Sequence, residues 1–188
     1  MPNYRRARIA GGTYFFTVNL ADRRSDLLTC RVNLLRAAWS AALLARPFRV
    51  DAVVVLPDHL HAVWTLPPGD HDYSSRWSMI KAGVSRALPP NRDRSLSKRA
   101  KREKDIWQRR FWEHAVQDDD DLARCLHYCW YNPVKHGLVA CPTDWPHSSL
   151  HRDIRLGLVA ADWTGQDVRG QFGEASDEGV GWASAHRR

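Results

Sequence analysis

An α+β fold is what this sequence predicts: a small antiparallel sheet covered by helices, of the ferredoxin-like, RRM-like kind. Segments rich in aromatic and β-branched residues alternate with segments whose apolar residues recur every three or four positions, in the order β, α, β, β, α, β, α. Two of the strand segments are separated by little more than Pro57 and Asp58, which favours an antiparallel hairpin. The chain has 188 residues, 44% hydrophobic and 26% charged, which suits one globular domain with a core of its own.

The first strand is read in Thr13 to Leu20, TYFFTVNL, which opens after the Gly11-Gly12 turn signal. Arg31 to Leu44 then sets Leu34, Leu35, Ala38, Ala41 and Ala42 on one helical face, and Pro47 stops it. Phe48 to Leu56 reads as a buried strand and His59 to Leu66 as its alternating partner, with the pair expected at the sheet centre. Ser74 or Ser75 caps a helix reaching about Leu88, with Trp77, Ile80 and Val84 inward. A basic loop follows, and Ile106 to Val116 holds a short strand. The carboxylates of Asp118 to Asp121 favour the positive end of a helix over Leu122 to Tyr131. That helix is expected to end near Asn132, because Pro133 disfavours helical backbone in the residue before it. After Trp145 the periodicity weakens, and Gly165 to Arg188 reads as a mobile tail. The expected organisation is therefore a domain over residues 1–155 and a flexible tail over 156–188.

Charge is concentrated rather than spread. The net charge is +7, yet Arg76 to Arg110 holds twelve Lys or Arg against three acids, so the rest of the chain is slightly acidic. Clustered cations suit a phosphate backbone, each contact releasing counterions, although a solvated basic loop has the same composition. No apolar run approaches the roughly 18 residues of a membrane span, and the polar N-terminus lacks a signal peptide's apolar stretch, so a cytoplasmic, nucleoid-associated protein is expected. The four cysteines follow neither a disulfide framework nor a zinc ribbon, and Cys125 and Cys129 read as core thiols.

Chemistry is suggested at two places. His59 and His61 alternate on a strand, so both imidazoles project from one face and are able to close on one cation. Roughly 0.4 such pairs arise by chance in a chain this rich in histidine, so two hydrogen-bonded strand residues are an equal alternative. Tyr128 and Asn132 lie one turn apart on the last helix, putting a phenol beside an amide oxygen that suits a hard metal ion. Tyr131 is a rival for Tyr128, and either is also an ordinary amphipathic core residue.

Four blocks resolve that ambiguity: VVLPDHLHAVWTLP (residues 54–67), DIWQRRFWEHAV (105–116), HYCWYNPVKHGLV (127–139) and DWPHSSLHR (144–152). In this order they resemble the REP-associated tyrosine transposases, a branch of the single-tyrosine HUH transposases of bacterial insertion sequences, and the resemblance spans about residues 4–155. It implies the HUH endonuclease fold, with Tyr128 as nucleophile, His59 and His61 as the metal-binding pair, and Asn132 at the position of a third ligand. It also implies a divalent ion, Mg²⁺ or Mn²⁺, and a single-stranded DNA substrate cut through a 5′-phosphotyrosine bond. The expected substrate is a hairpin formed by a repetitive extragenic palindrome. Lys98, Arg99, Lys101, Arg102, Lys104, Arg109 and Arg110 are the candidates for contacting it. Trp107 to Trp112 either stack on unpaired bases or belong to the core. A monomer is expected, a dimer being the state of the insertion-sequence relatives. The alternatives are a domesticated protein that grips the hairpin without cutting it, and a nuclease in which water attacks and Tyr128 is structural.

Overall fold

The computed structural model describes residues 7–91, 94, 96–101, 103–165 and 172. Strands β1 (Thr13–Asn19), β2 (Arg49–Val55), β3 (His59–Thr65) and β4 (Trp112–Ala115) form one antiparallel sheet in the order β2-β3-β1-β4. The expected α+β architecture is present, with one correction. β3 is central, but its hairpin partner β2 is an edge strand, because β1 inserts between β3 and β4. The exposed edge of β2 is covered by a later segment: Val55 donates its N–H to His147 O at 2.9 Å, and Ser149 donates to Val53 O at 2.8 Å.

The period-2 alternation of β1 and β3 divides two apolar cores between the two faces. Tyr14, Phe16, Val18, Leu60, Ala62 and Trp64 meet helices α2 (Val32–Ala45) and α3 (Tyr73–Arg86), which follow the four-residue α1 (Leu27–Cys30). Trp64 stacks on Trp77 with ring centroids 4.2 Å apart. α2 and α3 approach closely at Gly83, where a Cβ would stand 2.7 Å from Ala38 Cβ. The buried Arg76 makes four hydrogen bonds, its guanidinium donating to Arg46 O, Pro47 O, Asp72 O and the Asp70 carboxylate. Asp72, not Ser74 or Ser75, caps α3, accepting from Ser75 N at 3.0 Å, because the chain turns into the helix two residues earlier than the serines suggest.

The opposite face carries Phe15, Ala52, Val54 and Val63 beneath α5 (Asp119–Lys135), together with Leu150 of α6 (Leu150–Arg155). Asp118 caps α5, accepting from Asp121 N at 2.8 Å. α5 does not stop at Asn132. It runs through Pro133 because Trp130, Asn132 and Pro133 are buried, so packing outweighs the local penalty. The helix ends one turn later, where Gly137 takes φ 65° and Leu138 N–H closes on Pro133 O at 2.9 Å. The basic segment also differs from a plain loop, forming a short helix α4 at Leu96–Ala100. Residues 166–171 and 173–188, most of the expected tail, lie outside the described residues.

Candidate active site

Thr17, His59 and His61 are among the polar residues that the strand alternation turns toward α5, and the register sets Thr17 beside His61 and Asn19 beside His59. Each imidazole is held by a neighbour at Nδ1. Asp58 Oδ1 accepts from His59 Nδ1 at 2.7 Å, and Thr17 Oγ1 lies 2.9 Å from His61 Nδ1. A hydrogen bond at Nδ1 is the usual outer-shell arrangement of a histidine that binds a metal through Nε2. The two rings stand 5.0 Å apart and both are buried. Asp58 is itself anchored by Arg23 Nε at 2.9 Å. Burial pushes the Asp58 carboxyl up, but the hydrogen bond and charge of His59 and the charge of Arg23 outweigh it and hold the group below the ordinary carboxylate value.

α5 lies antiparallel to β3 over this pair. Tyr128, Asn132 and His136 fall on successive turns of one helical face. The Tyr128 ring meets His61 at 5.3 Å, and His136 meets His59 at 5.1 Å, so Asn132 occupies the turn between these contacts. All four predicted centre residues therefore converge in one chain. Tyr131 does not join them; it lies against Gly165 on another side of the helix.

Several neighbours were missed by sequence reasoning. Lys135 donates from Nζ to Tyr128 Oη at 2.8 Å, and Phe172 stacks on the Tyr128 ring at 3.7 Å while its carbonyl accepts from Thr17 Oγ1 at 2.5 Å. Asp58 had a signal, standing immediately before His59. Lys135 and His136 fall seven and eight positions after Tyr128, on its face, but only if the helix is carried past Pro133. Phe172 had no signal, since its contacts join distant parts of the chain.

The donor set fits a divalent ion. Two buried imidazoles and the buried Asn132 amide are neutral ligands of intermediate softness, with His136 in reach as a further nitrogen. A second grouping, His114, Asp121 and Cys125, has donor atoms within 4.8 Å of one another. It is better explained as the clasp joining β4 to α5. Asp121 accepts from His114 Nε2 at 2.7 Å and Gln117 N at 2.9 Å, and burial, with Asp121 nearby, pushes the Cys125 thiol up to about 12.

The basic segment is divided in its roles. Lys104 Nζ donates to Ser85 O and Leu88 O, both at 2.7 Å, tying down the end of α3. Lys98 pairs with Asp105 at 2.6 Å and Arg109 with Glu103 at 2.7 Å. Arg99, Lys101 and Arg110 are exposed, and Arg102 lies outside the described residues. Together with Lys81 and Arg86 this region borders an open cleft of about 630 Å³. Trp107 belongs to the core of the α2–α3 face, donating from Nε1 to Lys81 O at 3.2 Å, which removes it from base stacking, and the half-buried Phe111 packs against that core.

No family model matches the chain. Individual proteins do. The chain is 46% identical over 174 residues to a REP-associated tyrosine transposase of Escherichia coli, covering 93% of this chain and 98% of that one. It is 45% identical over 166 residues to a protein of the same family in Haemophilus influenzae, covering 88% and 94%. A solved structure of a REP-associated tyrosine transposase bound to a REP hairpin superposes with a TM-score of 0.81 at 46% identity, covering 93% of this chain and 98% of the other. With the fold, the extent and the identity in agreement, this chain belongs to the REP-associated tyrosine transposases.

Proposed function

We propose that this transposase cuts and rejoins single-stranded DNA beside a palindromic hairpin, with Tyr128 as the nucleophile. The observation that carries the reading is the packing of the Tyr128 ring on His61 of the same chain, in a row with Asn132 and His136 that faces the histidine pair. Tyr128 Oη bonds to the scissile phosphorus while the P–O3′ bond breaks, leaving a 5′-phosphotyrosine and a free 3′-OH. Attack by a 3′-OH on the phosphotyrosine reverses the step, so the phosphodiester energy is conserved. His59, His61 and Asn132 would hold a divalent ion, Mg²⁺ or Mn²⁺, whose chemistry when bound is Lewis-acid polarisation of the scissile phosphate. Arg23 and Asp58 keep His59 oriented, and Thr17 does the same for His61.

The hairpin partner is supported by the solved relative bound to a REP hairpin, by the cations Lys81, Arg86, Lys98, Lys104 and Arg109 that line the cleft, and by the exposed cations Arg99, Lys101 and Arg110. A single chain brings every member of the set, which supports action as a monomer. Among the described residues no helix is long and apolar enough to cross a membrane.

The test is incubation of the protein with Mn²⁺ or Mg²⁺ and an end-labelled single-stranded hairpin, followed by a denaturing gel. The expected result is a label-bearing band at protein size that Tyr128→Phe and chelator both abolish. Cleavage without that band supports hydrolysis by water instead. Hairpin binding with neither cleavage nor adduct supports a domesticated binding protein.

A further inference from the structure

Tyr128 lies among aromatic rings on the face that α5 turns to the sheet. The residue is 4% exposed, its ring stacking on Phe172 at 3.7 Å and meeting the edge of Phe15 at 5.8 Å. A free phenol loses its proton only near pH 10. Negative charge develops on the phenol oxygen as it attacks phosphorus, and a positive group at that oxygen stabilises it.

Lys135 stands at that oxygen. Its Nζ donates to Tyr128 Oη at 2.8 Å and also lies 4.7 Å from the ring centroid. Seven residues separate the two, close to two full turns of α5, so the lysine points back along the face that carries Tyr128. The passage of α5 through Pro133 fixes this relation, since a helix ending at Asn132 would release the lysine into a loop.

We propose that Lys135 is a catalytic residue of strand transfer, its ammonium stabilising the negative charge on Tyr128 Oη as attack begins and again when the phosphotyrosine is broken. This rests on the reading of Tyr128 as nucleophile. In the forward step the Oη proton passes to water as the Oη–P bond forms. The P–O3′ pair of electrons stays on O3′, which takes a proton from water, and Lys135 remains an ammonium throughout. A charge-assisted donor aimed at a developing oxyanion acts mainly on the rate.

The experiment is single-turnover adduct formation at saturating hairpin and Mn²⁺, comparing wild type with Lys135→Met and Lys135→Arg, with circular dichroism to establish folding and hairpin Kd measured beside the rates. Methionine should slow adduct formation about 100-fold, the usual scale for losing one oxyanion donor. Arginine should restore the rate to within about tenfold of wild type, and hairpin Kd should stay within about threefold. Three results overturn the proposal: a methionine variant at the wild-type rate, a methionine variant defective only in hairpin affinity, or an arginine variant as slow as methionine. A substrate with sulfur at the 3′ bridging position adds a further check. If it rescues Lys135→Met, the lysine serves the leaving oxygen, and the assignment to Tyr128 fails. Absence of adduct in wild type itself would instead overturn the reading of Tyr128.

Discussion

Replacing Asp58 probes the proposed metal centre without touching a proposed ligand. Its carboxylate accepts from His59 Nδ1 at 2.7 Å through Oδ1 and from Arg23 Nε at 2.9 Å through Oδ2. Loss of such an outer partner weakens metal binding roughly 10- to 100-fold, about 1.4 to 2.7 kcal/mol. Asp58→Asn keeps an oxygen able to accept from Nδ1 and should fall at the lower end. Asp58→Ala removes the acceptor and leaves the Arg23 guanidinium beside the site, and should fall at the upper end. The assay is a Mn²⁺ titration read by electron paramagnetic resonance of the free ion. It is made with hairpin present and in a Tyr128→Phe background, so that no turnover intervenes, and thermal melts establish folding. Mn²⁺ affinity within about threefold of the parent in both variants, with melts unchanged, would refute the proposed role of the carboxylate.

Phe15→Ala removes a ring that touches His61, Tyr128 and Trp112, and should destabilise the fold by about 3 to 5 kcal/mol, lowering Tm by roughly 6 to 20 °C in a chain of this length. A shift under about 2 °C would mean that the ring is not a core element. Gly83→Ala drives a methyl against Ala38, and overpacking of about 1 to 3 kcal/mol should exceed the helix-propensity gain of about 1 kcal/mol; a rise in Tm would contradict the close approach of α2 and α3. Asp70 is held below the ordinary carboxylate value chiefly by its hydrogen bond from Arg76, and Asp72 by the N–H of Ser75. Their folded pKa values lie below the unfolded value of about 3.9, so their stabilisation is complete above that pH and is lost as pH falls through the folded values. Urea midpoints should therefore drop on acidification below about pH 4, and Asp70→Asn should lessen the drop; an unchanged acid dependence would exclude the Asp70–Arg76 pair as its source.

Local pattern carried most of the fold. The alternation of TYFFTVN is visible as β1 because two cores claim its two faces, and α3 is visible because Trp77, Ile80 and Val84 recur on one side. Strand order was less accessible, since insertion of β1 between β3 and β4 depends on pairing between residues far apart in the chain. At the site, period 2 placed His59 and His61 on one face and period 3.6 placed Tyr128 beside Asn132, but the family resemblance was needed to select them over the alternatives. The rule that stops a helix before proline failed at Pro133, where burial outweighs a local preference, and with it went Lys135 and His136. Among the basic residues, sequence showed the charge but not its use. Lys104 and Lys98 look like Arg99 and Lys101 in composition, yet the first two are engaged within the fold.

The most direct test of the account is to map the covalent bond. Tryptic digestion of the trapped adduct, after nuclease trimming of the DNA, yields the peptide running from Cys125 to Lys135, which contains both Tyr128 and Tyr131. Fragmentation by mass spectrometry should place the nucleotide mass on Tyr128. The same mass on Tyr131, or strand cleavage that leaves this peptide unmodified, would contradict the central claim.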